Sequence, residues 1–113
     1  EKSPISRVFQ NLIINSIHSI QEANVSVGKI NVESSVTDNY LNILILDNGV
    51  GLKYEKNELI KPYFTTKKRR GGSGLGLAIV EKILFDHNAE FFIENRNDGT
   101  EGAKVEIKFD NKI

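Results

Sequence analysis

The sequence contains no cysteine, no methionine and no tryptophan in its 113 residues. Without cysteine, the chain has no disulfides, no thiolate metal site and no cysteine nucleophile. No apolar run approaches the roughly 18 residues of a membrane span. Lys and Arg number 15, as do Asp and Glu, so the net charge of zero excludes a strongly basic domain surface for nucleic acid. We therefore expect neither nucleic acid nor a membrane among the partners of this domain.

The remaining composition is that of one globular domain. Hydrophobic residues make up 39% of the chain and charged residues 27%, which argues against disorder of the whole chain. A chain of this length fits one domain rather than two. Because it begins with Glu1 and contains no methionine, we expect residues 1–113 to be a single cytoplasmic domain of a longer protein.

Hydrophobic periodicity predicts three helices and four strands. The first strand alternates with Ile30, Val32 and Val36 on its inward face, and the second carries apolar residues on both faces, as a covered central strand does. Strands joined mostly by hairpins and packed on helices predict an α+β, two-layer α/β sandwich with a mixed sheet on about three helices. The predicted helices are Pro4 to Ala23, Lys56 to Ile60 and Gly74 to Asn88, and the predicted strands are Lys29 to Val36, Tyr40 to Asp47, Glu90 to Asn95 and Ala103 to Phe109.

A glycine-rich run, Gly72-Ser73-Gly74-Leu75-Gly76-Leu77, opens the last predicted helix. It is similar to the dinucleotide-binding fingerprint, but that fingerprint follows a strand directly, whereas this run follows the charged segment Lys67-Lys68-Arg69-Arg70. A Rossmann site is therefore excluded. Glycine amides at a helix N-terminus still favour an anion such as phosphate. The alternative is a flexible glycine entry to the helix.

A second motif, Asp47-Asn48-Gly49-Val50-Gly51, ends the predicted central strand. Its aspartate is a fixed hydrogen-bond acceptor that can receive the exocyclic amine of adenine, and Gly49 and Gly51 let a ring approach the backbone. The alternative is a tight turn capped by Asp47.

Two asparagines lie one turn apart at the edge of the apolar face of the first helix. They are Asn11 and Asn15, with His18 close by. The neutral carbonyl oxygen of Asn15 suits a hard cation that takes its other ligands from water and phosphate. The alternative is a pair of solvated or capping residues.

These three motifs, together with the segment Phe64-Thr65-Thr66-Lys67, occur along the chain in an order that resembles one family. The chain is similar to the catalytic and ATP-binding domain of a two-component sensor histidine kinase, in the gyrase/Hsp90/histidine kinase/MutL superfamily, most of all to the nitrogen-regulation type. The resemblance implies a Bergerat-type fold, ATP and Mg²⁺ as cofactors, and transfer of the γ-phosphate to a histidine on a separate dimerisation domain. A response regulator is then an indirect partner. The resemblance is also compatible with a parent protein that is anchored in the inner membrane.

The resemblance also implies roles for individual residues. Asn15 is expected to hold Mg²⁺, Asn11 to lie beside the phosphates, His18 near the ribose or phosphates, and Asp47 to accept from the adenine amino group. Lys67 is expected to approach the phosphates, as a catalytic residue with Asn11 and Asn15. The other expected ATP-binding positions are Gly49, Gly51, Thr66, Gly72, Ser73, Gly74, Leu75, Gly76 and Leu77.

One position favours a kinase over an ATPase. Relatives that hydrolyse ATP carry a glutamate four residues before the magnesium asparagine, and here that position is Asn11, which is no general base. His18 and His87 lack the context of a phospho-acceptor histidine, so we expect the fragment to bind ATP without autophosphorylation. Two alternatives stay open: a serine kinase or ATPase of the same superfamily, and a non-catalytic nucleotide-sensing module.

Overall fold

The computed structural model describes residues 3–61 and 76–110, and within them the predicted helices and strands form nearly where expected. The second predicted helix is a single short turn, and the last helix is described from Gly76 onward. The elements are α1 (Pro4–Ala23), β1 (Ile30–Thr37), β2 (Tyr40–Asp47), α2 (Lys56–Leu59), α3 (Gly76–Asp86), β3 (Ala89–Asn95) and β4 (Ala103–Asp110).

The strands form a sheet in the order β1-β2-β4-β3. The predicted two-layer sandwich is confirmed, and β2 is central. The expected mixed sheet is wrong for these four strands, because all three pairings are antiparallel. The reason is topological. Strands β2 and β3 run in the same direction, but β4 lies between them and pairs antiparallel with both.

The hydrophobic core lies between the helices and one face of the sheet. Helices α1 and α3 pack against each other, and their apolar stripes face the central strands. The buried residues of this core are Val8, Leu12, Ile45, Val80, Leu84, Phe91, Val105 and Ile107.

Strand β1 departs from the burial predicted for it. Val32 lies opposite Ile45 in the register, so its side chain is on the core face as expected. However, Val32 is 57% exposed and Val36 is 67% exposed, whereas Ile45 is 1% exposed. The predicted alternation of faces was correct, but the predicted burial of Val32 and Val36 was wrong. Strand β1 lies at the edge of the sheet, where the helices of the described chain do not cover it.

The second face of β2 is also less covered than predicted. Leu44 and Leu46 are only half-buried. Their cross-strand neighbours include Glu33, Glu106 and Lys104, which need water. The central strand is therefore packed on one face and partly solvated on the other.

The ends of α1 and α3 show two common forms of helix termination. Ser3 caps α1 by accepting a hydrogen bond from the Ser6 amide at 3.2 Å, with Pro4 at the first helical position. Asn88 has a φ of 58°, so asparagine forms a left-handed turn after α3. None of the helices within residues 3–61 and 76–110 has the length and apolarity of a membrane span.

Candidate functional site

Asp47 is a buried carboxylate at the last position of β2, with 3% of its surface exposed. Its Oδ1 accepts hydrogen bonds from the Gly49 amide at 2.9 Å and from the Ala103 amide at 3.1 Å. These two bonds offset the cost of burying the charge and set the orientation of the carboxylate. Within residues 3–61 and 76–110 the hydrogen bonds of this carboxylate are made by Oδ1.

The loop that follows, residues 47–52, is tied first to the start of β1. The Asn48 side chain accepts from the Lys29 amide at 2.8 Å and donates to the Val27 carbonyl at 2.9 Å. The Asn48 amide also donates to the Lys29 carbonyl at 3.3 Å. Asn48 therefore extends the β1–β2 pairing by one residue beyond the sheet.

Helix α1 is the second support of this loop. The Val50 amide donates to Ser19 Oγ at 3.0 Å and to the Ser19 carbonyl at 3.3 Å. At Gly49 a Cβ atom would lie 2.2 Å from Ser19 Oγ and 2.6 Å from the Ser19 carbonyl carbon. The close approach of α1 thus requires glycine at position 49, and this requirement does not involve a ligand. Its expected role toward a ligand ring stays a prediction.

The third support comes from the end of β3. The Asn95 side chain accepts from the Leu52 amide at 2.6 Å and donates to the Leu52 carbonyl at 3.0 Å. Gly51 has a φ of +80°, and a Cβ there would lie 2.7 Å from Asn95 Oδ1. Arg96, the next residue, donates from Nη1 to the Asp47 carbonyl at 3.0 Å. The loop is therefore held at both ends by the Asn95-Arg96 pair.

Arg96 is itself held by Asp98 in a two-bond ion pair. Arg96 Nη2 lies 2.8 Å from Asp98 Oδ2 and Nε lies 3.2 Å from Asp98 Oδ1. The hydrogen bonds from Arg96 lower the pKa of the Asp98 carboxyl, with a smaller effect from the Thr100 amide. The same pair raises the pKa of Arg96, and the nearby Asp47 charge adds to that shift.

The two asparagines line up with Ser19 on α1. Asn11, Asn15 and Ser19 are spaced by four residues, which places them on one helix face. Asn15 therefore lies about 6 Å and Asn11 about 12 Å along the helix axis from the contact with the Asp47 loop. Both side chains are half-buried, as is His18, and neither amide is hydrogen-bonded to another described residue. The arrangement suits an elongated ligand that extends from Asp47 along α1.

The start of α3 is the only part of the predicted glycine segment within the described chain. Leu77 packs against the core beside α1, and a Cβ at Gly76 would meet nothing within 4 Å. The other predicted site residues lie outside the described residues. They are Thr66, Lys67, Gly72, Ser73, Gly74 and Leu75.

Three residues of this site were missed by sequence reasoning: Ser19, Asn95 and Arg96. Two of them had a local signal. Ser19 continues the four-residue spacing of Asn11 and Asn15, and Arg96 stands two residues before Asp98 in a turn segment. Asn95 had none, because its partner Leu52 is 43 residues away in the chain.

The structure thus has a buried carboxylate at the end of the central strand, beside a helix that carries Asn11 and Asn15 on one face, in a two-layer sandwich. The chain matches the family described as histidine kinase-, DNA gyrase B-, and HSP90-like ATPase over residues 1–113. It belongs to this family, and it is a catalytic ATP-binding domain of the sensor histidine kinase type.

Two curated relatives illustrate the similarity. A putative NtrY-like sensor histidine kinase from Rickettsia typhi is 34% identical over 113 residues, covering 99% of this chain and 18% of the relative. The nitrogen regulation protein NtrY from Azorhizobium caulinodans is 36% identical over 108 residues, covering 92% of this chain and 13% of the relative. The chain thus spans less than a fifth of the length of either protein.

Solved structures agree with the fold. The catalytic domain of histidine kinase ThkA in a nucleotide-free form superposes with a TM-score of 0.76 at 29% identity, covering 96% of this chain and 66% of that one. A mycobacterial sensor histidine kinase, MprB, gives a TM-score of 0.81 at 22% identity, covering 97% of this chain and 74% of that one, and shows the fold alone.

Proposed function

We propose that this domain binds Mg-ATP between Asp47 and the asparagine row of α1, and that within its parent protein it transfers the γ-phosphate to a histidine on a separate dimerisation domain. The observation that carries the proposal is the buried Asp47 carboxylate, whose hydrogen bonds within residues 3–61 and 76–110 are made by Oδ1, to two backbone amides.

The adenine end of the ligand is assigned to Asp47. Oδ2 accepts the exocyclic amine of adenine in this proposal, and the burial of the carboxylate strengthens that hydrogen bond by excluding water. Guanine carries a carbonyl oxygen where adenine carries the amine, so the same oxygen repels it. Gly49 and Gly51 complete the backbone around this point.

The phosphate end is assigned to α1. Asn15 fits the requirements of a magnesium ligand, because its half-buried amide is not used by another described residue. Within the described chain no three acidic, histidine or cysteine side chains form a metal cluster, which fits a cation held by one amide together with phosphate oxygens and water. Magnesium would supply charge neutralisation of the phosphates. Asn11, His18, Thr66, Lys67 and the glycine segment are proposed to complete this end.

The reaction we infer is phosphoryl transfer to protein rather than hydrolysis. Asn11 is not a base and so does not activate water. Phosphoryl transfer itself depends mainly on positioning and charge neutralisation, which such a site provides. Neither histidine of the chain suits the role of acceptor, and the His87 ring is already bonded to the Ile83 carbonyl at 2.8 Å. The fragment is therefore expected to bind ATP without phosphorylating itself.

The partners and location follow from this role. The domain is proposed to act on the dimerisation domain of its own parent protein, which passes the phosphoryl group to a response regulator. The names of the NtrY-type relatives support the nitrogen-regulation type. We place the domain in the cytoplasm, with its parent anchored in the inner membrane.

The decisive experiment is calorimetric titration of the Asp47→Asn variant with ATP and ADP. Because Oδ1 must remain an acceptor for two backbone amides, the new NH₂ group takes the place of Oδ2 and faces the adenine amine, donor to donor. We expect affinity to fall about 100-fold, or about 2.7 kcal/mol. The matched control is Asp86→Asn on the exposed side of α3, which should bind as the original does. Unchanged affinity of a folded Asp47→Asn variant would refute the adenine assignment.

A further inference from the structure

The guanidinium of Arg96 donates both to the backbone carbonyl of Asp47 and to the carboxylate of Asp98. The Arg96 side chain is 13% exposed. Nη1 donates to the Asp47 carbonyl at 3.0 Å, while Nε and Nη2 donate to the two oxygens of Asp98 at 3.2 and 2.8 Å. A planar guanidinium held by two parallel bonds has little freedom left, so Asp98 determines where Nη1 points.

The connection between β3 and β4 reaches Asp47 by other contacts as well. The Ala103 amide donates to Asp47 Oδ1 at 3.1 Å. At Gly102 a Cβ atom would lie 1.9 Å from the Asp47 carbonyl oxygen, so this connection lies directly against the end of β2. The Arg96 amide closes the connection by donating to the Gly102 carbonyl at 2.9 Å. Residues 96–103 therefore support both the backbone and the carboxylate of Asp47.

We propose that Arg96, oriented by Asp98, is a positioning residue that holds Asp47 in register for adenine and so contributes to the preference for ATP over GTP. This inference rests on the proposed function. A hydrogen bond discriminates between adenine and guanine only while its acceptor is held to within about 0.5 Å of the productive position. In the proposed site the phosphates lie along α1, so this inference assigns Arg96 no contact with them.

The experiment compares Arg96→Gln and Arg96→Lys with the original chain in titrations with Mg-ATP and Mg-GTP. We expect Arg96→Gln to lose about tenfold in ATP affinity, roughly one good hydrogen bond, while GTP affinity stays constant. Lysine retains the charge and one donor, and it should restore part of the ATP preference. The matched control is Lys104→Gln, which removes an ion pair with Glu94 on the same hairpin and should leave both affinities unchanged.

Each result decides the inference. An equal loss for ATP and GTP would show a merely structural role, and unaltered ATP affinity in folded Arg96→Gln would also overturn the proposal. If Arg96→Gln does not fold, Asp98→Asn gives the same test, because it leaves the guanidinium without its charged partner. It should then lower the ratio of the affinity for ATP to the affinity for GTP. If the original chain shows no preference for ATP, or Asp47→Asn binds normally, the proposed function itself fails and this inference with it.

Discussion

At the scale of single residues, side-chain amides pair with backbone groups around the loop after β2, as the backbone of a neighbouring strand does within a sheet. Asn48 offers one donor and one acceptor to Val27 and Lys29, and Asn95 offers the same two groups to Leu52. An amide is the side chain with both functions in this geometry. These bonds pair backbone groups of Val27, Lys29 and Leu52 on either side of the turn, and so the buried Asp47 rests on a fixed support.

Gly49 tests how closely α1 and this loop must approach. We expect Gly49→Ala to destabilise the fold by about 1–3 kcal/mol, because the new methyl group overlaps Ser19. The matched control is Gly76→Ala at the start of α3, where a Cβ meets nothing and alanine favours the helix. Urea unfolding of the two variants measures the difference. Equal stabilities would show that α1 moves aside without cost.

Asp98 gives a prediction about pH. The hydrogen bonds from Arg96 lower the pKa of the Asp98 carboxyl from its ordinary 3.8, so the charged form is favoured in the folded state. The stabilisation is therefore complete above about pH 4 and is lost as the pH falls through the lowered value. We expect Asp98→Asn to be less stable than the original at pH 7 and to lose less on acidification. Urea midpoints at pH 7, 4 and 2.5 test this, and parallel curves would contradict it.

At the scale of elements, α3 shows how one helix divides its residues between core and solvent. Leu84 is fully buried between α1 and the sheet, while the adjacent Phe85 is 75% exposed. We expect Leu84→Ala to cost about 2–5 kcal/mol, since it removes packed atoms and leaves a cavity. Phe85→Ala should change the free energy of unfolding by no more than about 0.5 kcal/mol.

Chemical denaturation of both α3 variants makes the comparison. A large loss for Phe85→Ala would mean that this ring packs against a part of the chain beyond the described residues. A small loss for Leu84→Ala would mean that the core relaxes around the missing side chain. Either result would revise the division of α3 given above.

Strand β1 illustrates the limit of periodicity at the same scale. Alternation correctly assigned Val32 and Val36 to the core face, but it carried no information about which strand lies at the edge. That position depends on strand order, which comes from how both hairpins join. Strand β3 shows the same dependence on position: Phe92, on its second face, is 45% exposed, whereas the adjacent Phe91 is 4% exposed.

At the scale of the whole molecule, the domain is expected to act only together with its acceptor. Mixed with Mg-ATP labelled at the γ-phosphate and a dimerisation domain of an NtrY-type kinase, it should transfer label to the acceptor histidine. The domain alone should acquire none. Gel autoradiography with acid treatment, which removes phosphohistidine, is the measurement. The Asp47→Asn variant should lower the yield strongly, and label on serine would instead favour the serine-kinase alternative.

The sequence by itself determined the elements and the chemistry of their ends. The period of the apolar residues is a local property, so α1, β2 and the last hairpin were predicted within one or two residues, and Asp47 was correctly placed at the end of a central strand. The four-residue spacing of Asn11 and Asn15 on one helix face also follows from local order.

Only the tertiary structure decided what surrounds Asp47. The contacts from Ser19, Asn95, Arg96 and Ala103 join residues 31 to 56 positions apart, and no local pattern encodes which distant amide or guanidinium will meet a given loop. Such contacts follow from strand order and helix packing, because a buried charge must find its donors among whichever elements the fold brings beside it.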